Sequence, residues 1–303
     1  MASVPAADAR GRAAVRALLA APRFELLPLS NVDVQAAFLP PGATVSVTAS
    51  PAKGIEATVG VAGRLAARGF DVIAHLSARM IRDRAHLRVL LGRLTDAGVD
   101  RAFVVGGDAD DPGAFLDGLS LLRAISELDS PLREIGVPAY PEGHPDIPGD
   151  RLLAALEAKQ PYASYFVTQL CFDHRAIERW LRMRRAEGIT LPAVIGLPGV
   201  TELRKLLSIS ARIGVADSRR FLRKNTRLVG RLVRPGGYDP DSLLTGLAPL
   251  LLDPGLAITG AHLYTFNQAE TTEAWRRSYL AALGEVANAA ETRARRTAEA
   301  DAS

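Results

Sequence analysis

Short apolar runs recur along the chain, and longer amphipathic stretches separate them. The runs at 24–27, 44–47, 71–74, 102–105, 134–137, 165–168, 193–195 and 261–265 are rich in Val, Ile, Phe, Tyr and Ala. Most are apolar at consecutive positions, the pattern of strands covered on both faces in a parallel sheet. Between them, 54–68 (GIEATVGVAGRLAAR) and 84–97 (RAHLRVLLGRLTDA) carry apolar residues at helical spacing, and 114–126, 150–159, 174–187 and 201–213 read the same way. Strand alternating with helix implies right-handed βαβ units. Eight such strands in 303 residues predict an α/β protein, a single (β/α)8 TIM barrel. A doubly wound open sheet is the alternative. Two features favour the barrel. No GxGxxG follows the first strand. Polar residues also gather at the strand ends (Glu25, Thr48, His75, Asp108, Tyr140, Gln169 and Asn267), which in a barrel converge on one mouth.

The expected organisation is a helical N-terminal extension over 1–22, the barrel over 23–287, and a frayed or disordered tail over 288–303, where Ala, Glu and Arg dominate. The seventh and eighth strands lie far apart. Residues 217–259 hold an arginine-rich stretch (SRRFLRKNTRLVGRLVRPGG) and a helical segment at about 241–252, read together as a helical insertion before the last strand.

Composition narrows the classes. At 48% hydrophobic and 23% charged, the chain reads as soluble and globular. Its net charge of +4, from 37 basic and 33 acidic residues, is a weak signal for nucleic acid and fits a mildly basic surface that attracts anionic substrates about as well. Cys171 is the single cysteine, so no internal disulfide, zinc cluster or CxxC pair can form, and a cytoplasmic location is expected. Charges interrupt every apolar run near the N-terminus, and none approaches the ~18 residues of a membrane span.

Several residues could carry chemistry. Glu25 lies inside an apolar strand, where an unpaired carboxylate is costly and burial raises its pKa; that suits a general acid, or equally a salt-bridged scaffold residue. Asp108 follows Val105-Gly106-Gly107; the glycines permit close backbone approach to a ligand, although a turn or N-cap aspartate is the commoner case. His75 ends a strand and His144 lies in a loop, without the HxH or HExxH spacing of a metal site, so no metal is expected. Gln169 ends the sixth strand, where an amide suits the donor–acceptor edge of a pterin, or simply faces water. Cys171 reads as buried and inert. There is no GxSxG elbow, Ser-His-Asp order or P-loop, so the usual grounds for hydrolysis and phosphoryl transfer are missing.

Taken in order, Phe24-Glu25, Val45-Ser46-Val47-Thr48, Ala74-His75-Leu76, Gly107-Asp108, Tyr140-Pro141-Glu142-Gly143-His144-Pro145, Val167-Thr168-Gln169 with Phe172-Asp173, and Leu263-Tyr264-Thr265-Phe266-Asn267 resemble the successive strand-end motifs of the methylenetetrahydrofolate reductase family. The Tyr-Pro-Glu-Gly-His-Pro loop and the Thr-Gln-x-x-Phe-Asp run are the most distinctive, and the resemblance extends from about residue 23 to about residue 283. It implies reduction of 5,10-methylenetetrahydrofolate to 5-methyltetrahydrofolate, with NAD(P)H reducing a bound FAD that then reduces the folate. By resemblance Glu25 is the general acid, and Asp108 lies near both flavin and folate. Thr48, His75, Gly107, Tyr140, His144 and Lys159 are flavin contacts. Gln169, Lys205 and Gln268 are substrate contacts.

The chain departs from the family pattern at four places. Gly106 stands where the family has arginine before Gly-Asp, Ala49 where tyrosine often follows the second strand's threonine, Gln268 where arginine follows Tyr-Thr-x-Asn, and Lys205 where a glutamine aligns. These departures keep two alternatives open: direct hydride transfer from NAD(P)H without flavin, and a non-catalytic folate- or flavin-binding barrel that partners a methyltransferase. A corrinoid- or pterin-dependent methyltransferase barrel is a further reading. The expected partners are tetrahydrofolate and a nicotinamide dinucleotide, with neither nucleic acid nor membrane, and with a homo-oligomer left open.

Overall fold

The computed structural model describes residues 8–128, 130–144, 146–200 and 240–301, with side chains of the last helix through residue 286. Eight parallel strands form a closed barrel in sequence order: β1 (Arg23–Leu26), β2 (Thr44–Val47), β3 (Asp71–Ser77), β4 (Arg101–Val105), β5 (Glu134–Ala139), β6 (Tyr165–Thr168), β7 (Ala193–Pro198) and β8 (Ile258–Tyr264). The helices are α1 (Ala9–Ala20), α2 (Val32–Ala36), α3 (Ile55–Ala67), α4 (Arg84–Asp96), α5 (Gly118–Ser126), α6 (Gly149–Lys159), α7 (His174–Ala186), α8 (Asp241–Leu251) and α9 (Ala269–Asp301). The α/β barrel, its N-terminal helix and the helix inserted before the last strand all agree with the sequence pattern. The expected helix over 201–213 and the arginine-rich stretch up to residue 239 lie outside the described residues. Helix α9 continues to Asp301 through the stretch read as a frayed or disordered tail.

Alternation along each strand separates two apolar layers. Phe24, Leu26, Val45, Val47, Val72, Ala74, Leu76, Ala102, Val104 and Phe166 belong to the large cluster beneath the helices. Residues of the other parity, Ile73, Phe103, Tyr165, Val167 and Val194, form a separate cluster with Val105 and fill the lumen. The helices bury matching stripes. In α3 these are Ile55, Val59, Ala62 and Leu65; in α4, Leu87, Leu90, Leu91 and Leu94. Gly136 makes room inside the lumen: a Cβ there would stand 2.5 Å from the Tyr165 ring and 2.7 Å from Phe103. Helix α9 is tied to α1 by the buried Arg276, which pairs with Glu273 (Nε–Oε2 2.6 Å) and donates to Leu19 O at 2.8 Å, satisfying a carbonyl at the end of α1.

Four strand ends differ from the expected bounds by two or more residues; one is that of β7, which runs on to Pro198 in register with Tyr264. β3 runs on to Ser77, because Ile73–Ser77 stay in register with Arg101–Val105. β5 continues through Pro138, which loses no ladder bond: even-numbered residues of β5 face β4, and that pairing stops at Gly136. β8 starts at Ile258 because β7 pairs with it from Ala193 onward. No helix among the described residues is long and apolar enough to cross a membrane.

Candidate active site

The carboxyl ends of the strands form one mouth, and most of the polar residues singled out above are there. Thr48, Tyr140 and Gln169 each follow a strand by one residue, and Asp108 follows β4 by three. Thr48 is anchored by its backbone, donating to Leu26 O at 3.0 Å and accepting from the Thr58 hydroxyl at 2.9 Å. Gln169 is exposed, and its Oε1 accepts from Leu170 N at 2.8 Å. Tyr140 stacks edge-on against His144, with ring centroids 5.2 Å apart and an 89° interplanar angle. Burial pushes its phenol up to about 12, and the nearby Asp108 carboxylate adds to the shift. His144 is fixed from the other side, Nδ1 accepting from Asp146 N at 3.2 Å.

The two most distinctive loops meet. Glu142 lies beside Cys171, whose thiol is pushed up to about 12 by burial and then by that carboxylate. A thiol so held is protonated and unreactive at neutral pH, as expected for Cys171. Asp173 caps α7, accepting from Arg175 N at 2.9 Å.

Glu25 projects into the lumen on the inward parity of β1, one layer above Arg23, while Phe24 and Leu26 pack outward. Its side chain is 12% exposed, and Oε2 lies 3.3 Å from Nε2 of His262, which is 3% exposed. It is in register with Tyr264 of β8. The Tyr264 hydroxyl donates to Thr168 O at 3.1 Å; burial first, then the charges of Glu25 and Tyr140, push its pKa well above the usual phenol value. Glu25, Tyr264, Tyr140 and Asp108 therefore form one electrostatic neighbourhood at the mouth end.

Other expected site residues are placed differently. His75 is not at a strand end: β3 extends two residues further, and the ring turns into the lumen, buried, 2.7 Å from the Ser46 hydroxyl and 4.8 Å from Phe103. Burial pushes its pKa down to about 3, with His262 contributing, so it is neutral at physiological pH. Gly107 has φ +87°, and a Cβ there would be 1.9 Å from Ser77 Oγ. Its bare backbone is used against the end of β3. Lys159 ends α6, and its chain reaches Gly118 at the start of α5, behind β4. Burial lowers its pKa while Asp117 draws it back up. Gln268 is buried at the start of α9, and Lys205 is outside the described residues.

In β8 and the turn after it, His262 was not singled out from the sequence, and Thr265 and Asn267 were read only as part of a strand-end motif, without a role. His262 is on the inward parity of the 261–265 run, a signal that was present. Thr265 donates through its hydroxyl to Glu25 O, and Asn267 pairs its amide with both Leu27 N (2.7 Å) and Leu27 O (3.0 Å). Phe266 and Asn267 both have φ of 51°. Two consecutive left-handed non-glycine residues are costly, and the Asn267 bonds hold the turn in that form.

A family model for methylenetetrahydrofolate reductase matches residues 30–225. The chain is 28% identical over 171 residues to a Caenorhabditis elegans protein named "Probable methylenetetrahydrofolate reductase (NADPH)", a stretch that is 54% of this chain and 24% of that protein. It is 26% identical over 161 residues to "Methylenetetrahydrofolate reductase 2" of Saccharomyces cerevisiae, covering 51% of this chain and 26% of that one. The similarity therefore spans about a quarter of each relative's length. Glu25 and β8 fall outside the residues that the family model matches, and their place in the site rests on geometry. The model nevertheless covers well over half of the sequence, including β2 through β7, and the chain belongs to the methylenetetrahydrofolate reductase family.

Proposed function

We propose that this protein reduces the methylene bridge of 5,10-methylenetetrahydrofolate to the 5-methyl group, using hydride from NAD(P)H, with Glu25 as general acid. The observation that carries this reading is the position of Glu25: a nearly buried carboxyl inside the barrel, at the same end as Asp108 and Gln169, with an imidazole as its polar partner. Glu25 gives its proton to N10 as the bond between N10 and the methylene carbon breaks, leaving a cationic iminium at N5. That carbon accepts the hydride, and NAD(P)H leaves as NAD(P)+. One proton is consumed per turnover. Asp108 at the mouth favours the developing cation electrostatically. By family resemblance Gln169 reads the pterin edge, and Lys205 and Gln268 touch substrate. Tyr140 and His144 offer an aromatic wall to a flat heterocycle.

The residues present fit FAD, the relay the family implies, only in part. Thr48, Tyr140 and His144 suit a flavin, whereas Lys159 turns to Gly118 behind β4. His75, however, is committed to Ser46, Gly107 is packed on Ser77, and Gly106 replaces an arginine. The chemistry above therefore takes no step through flavin. The same observations favour a second reading, direct hydride transfer from NAD(P)H to the folate at this mouth.

The test is the absorption spectrum of the purified chain, followed by NADH and NADPH oxidation with methylenetetrahydrofolate. A yellow protein that turns over selects bound flavin, and a colourless one that turns over selects direct transfer. Glu25→Gln should lose folate reduction by about 10²- to 10⁴-fold. Folate binding without NAD(P)H consumption in either case would overturn the reading and leave a binding barrel.

A further inference from the structure

We infer that His262 is a positioning residue for the proton donor: its imidazole holds one carboxyl oxygen of Glu25, so that the other oxygen carries the proton toward the substrate. The inference rests on the reading of Glu25 as the acid.

Among the described residues, His262 is the one ionisable side chain that forms a pair with the Glu25 carboxyl. The contact runs from Nε2 to Oε2, which leaves Oε1 for the proton. A neutral imidazole has one N–H donor and one acceptor nitrogen, so the arrangement requires the Nε2–H tautomer. A guanidinium in the same place would hold the carboxyl ionised and disable it as an acid. Arg23, one layer below on the same strand, turns instead to Glu134 at 2.9 Å.

Both partners are held by β8 and its turn. The ring of Tyr264 packs against the His262 ring at 4.8 Å and 64°, which fixes the imidazole plane. The Thr265 hydroxyl and the Asn267 amide hold the β1 backbone at Glu25 and Leu27. The distance from imidazole to carboxyl is thus set by one turn, and the left-handed conformations at 266 and 267 are the local cost of setting it.

The other groups facing this pair do not compete for it. From β3, His75 is bound to Ser46 of β2 and stays neutral. From β8, Tyr264 donates to Thr168 O. Tyr140 of the β5 end is in the same field and is protonated at neutral pH. From β1, Arg23 is occupied below.

The test compares His262→Phe, which keeps the ring and removes the N–H, with His262→Gln, which restores a donor. Loss of a held geometry costs on the order of 10- to 100-fold in rate, so His262→Phe should lose about that much kcat with folate KM within about twofold, and His262→Gln should recover most of it. A donor to a carboxylate favours its charged form. The basic limb of kcat in His262→Phe should therefore move to higher pH; a side chain that only filled space would leave it where it was. The second measurement is ¹⁵N NMR of the imidazole in the ligand-free wild-type chain, which should give the Nε2–H tautomer, with the Nε2 signal moving in Glu25→Gln. An Nδ1–H tautomer overturns the inference even if His262→Phe fails to fold. So does a wild-type kcat and pH profile in a folded His262→Phe, provided Glu25→Gln is inactive. If Glu25→Gln itself turns over at the wild-type rate, the acid reading falls first.

Discussion

The lumen of this barrel holds charged groups at two levels that behave differently. At the lower level Arg23 and Arg101 face Asp71 and Glu134. Arg23 reaches Glu134 at 2.9 Å and Arg101 reaches it at 2.7 Å, while Arg101 also contacts Asp71, which accepts from Thr44 at 2.9 Å. Arg23 lies 4.2 Å above the Tyr165 ring. Two guanidinium groups meet two carboxylates in one chain, Arg23–Glu134–Arg101–Asp71. At the upper level Glu25 pairs with His262, in a layer with Tyr264, His75 and Ser46, and among the described residues no guanidinium pairs with it. A carboxylate paired with guanidinium groups stays ionised through the physiological range and cannot hand over a proton. One paired with an imidazole can. The lower layer is a plug that closes the barrel floor, and the upper layer is where proton chemistry is open.

The sharpest way to break this comparison is to exchange consequences between the layers. Arg101→Met leaves Asp71, 37% exposed, without its guanidinium and Glu134 with Arg23 alone, and should cost about 1–3 kcal/mol of stability. Urea denaturation measures it. Activity per folded molecule should stay near wild type. Glu25→Gln should do the reverse, removing folate turnover with a midpoint close to wild type. If Arg101→Met abolished turnover in a folded protein, the floor would be part of the chemistry and the two-level account would be wrong.

A smaller effect tests the mouth itself. Gly107→Ala introduces a side chain at φ +87° and 1.9 Å from Ser77 Oγ. The backbone strain should cost ~1–3 kcal/mol, and the following Asp108 should shift, lowering kcat/KM for the folate. Adding Ser77→Gly removes the hydroxyl but not the unfavourable φ, so it should restore stability only in part. Full rescue by the double variant would mean that the clash alone, and not the left-handed backbone, makes glycine necessary there.

The alternation of strands and helices allowed a barrel or a doubly wound open sheet, and the polar strand ends and the missing GxGxxG favoured the barrel. The mouth residues were legible for the same reason: a polar residue directly after a buried strand has one place to go. The pairings were not. Asn267 and Leu27 are 240 positions apart, and an asparagine amide standing in for a strand follows only from closure of β8 on β1. His75 looked like a strand end because Leu76 and Ser77 carry no obvious strand signal, yet β4 pairs with them. The lower network left a faint trace, since Arg23, Asp71, Arg101 and Glu134 are each the first residue of a strand. Which acid meets which base depends on the stagger of the closed sheet.

The last prediction uses acid to separate the two levels. His75 is held neutral, its pKa pushed from 6.5 to about 3 by burial and by His262. In the unfolded chain it titrates near 6.5. Below that value the unfolded state takes up a proton that the native state refuses. The stabilisation is therefore complete above pH 6.5 and is lost as the pH falls toward 3. Between pH 7 and pH 5.5 this one residue should remove about 1 kcal/mol of unfolding free energy. His75→Gln can still bond to the Ser46 hydroxyl but has no proton to take up, so it should flatten the slope in that window by the same amount, whatever its stability at pH 7. Arg101→Met leaves His75 and its packing in place and should keep that slope. A wild-type slope in His75→Gln would mean that the ring is already charged in the native lumen, and that the upper level is less dry than its packing against Phe103 implies.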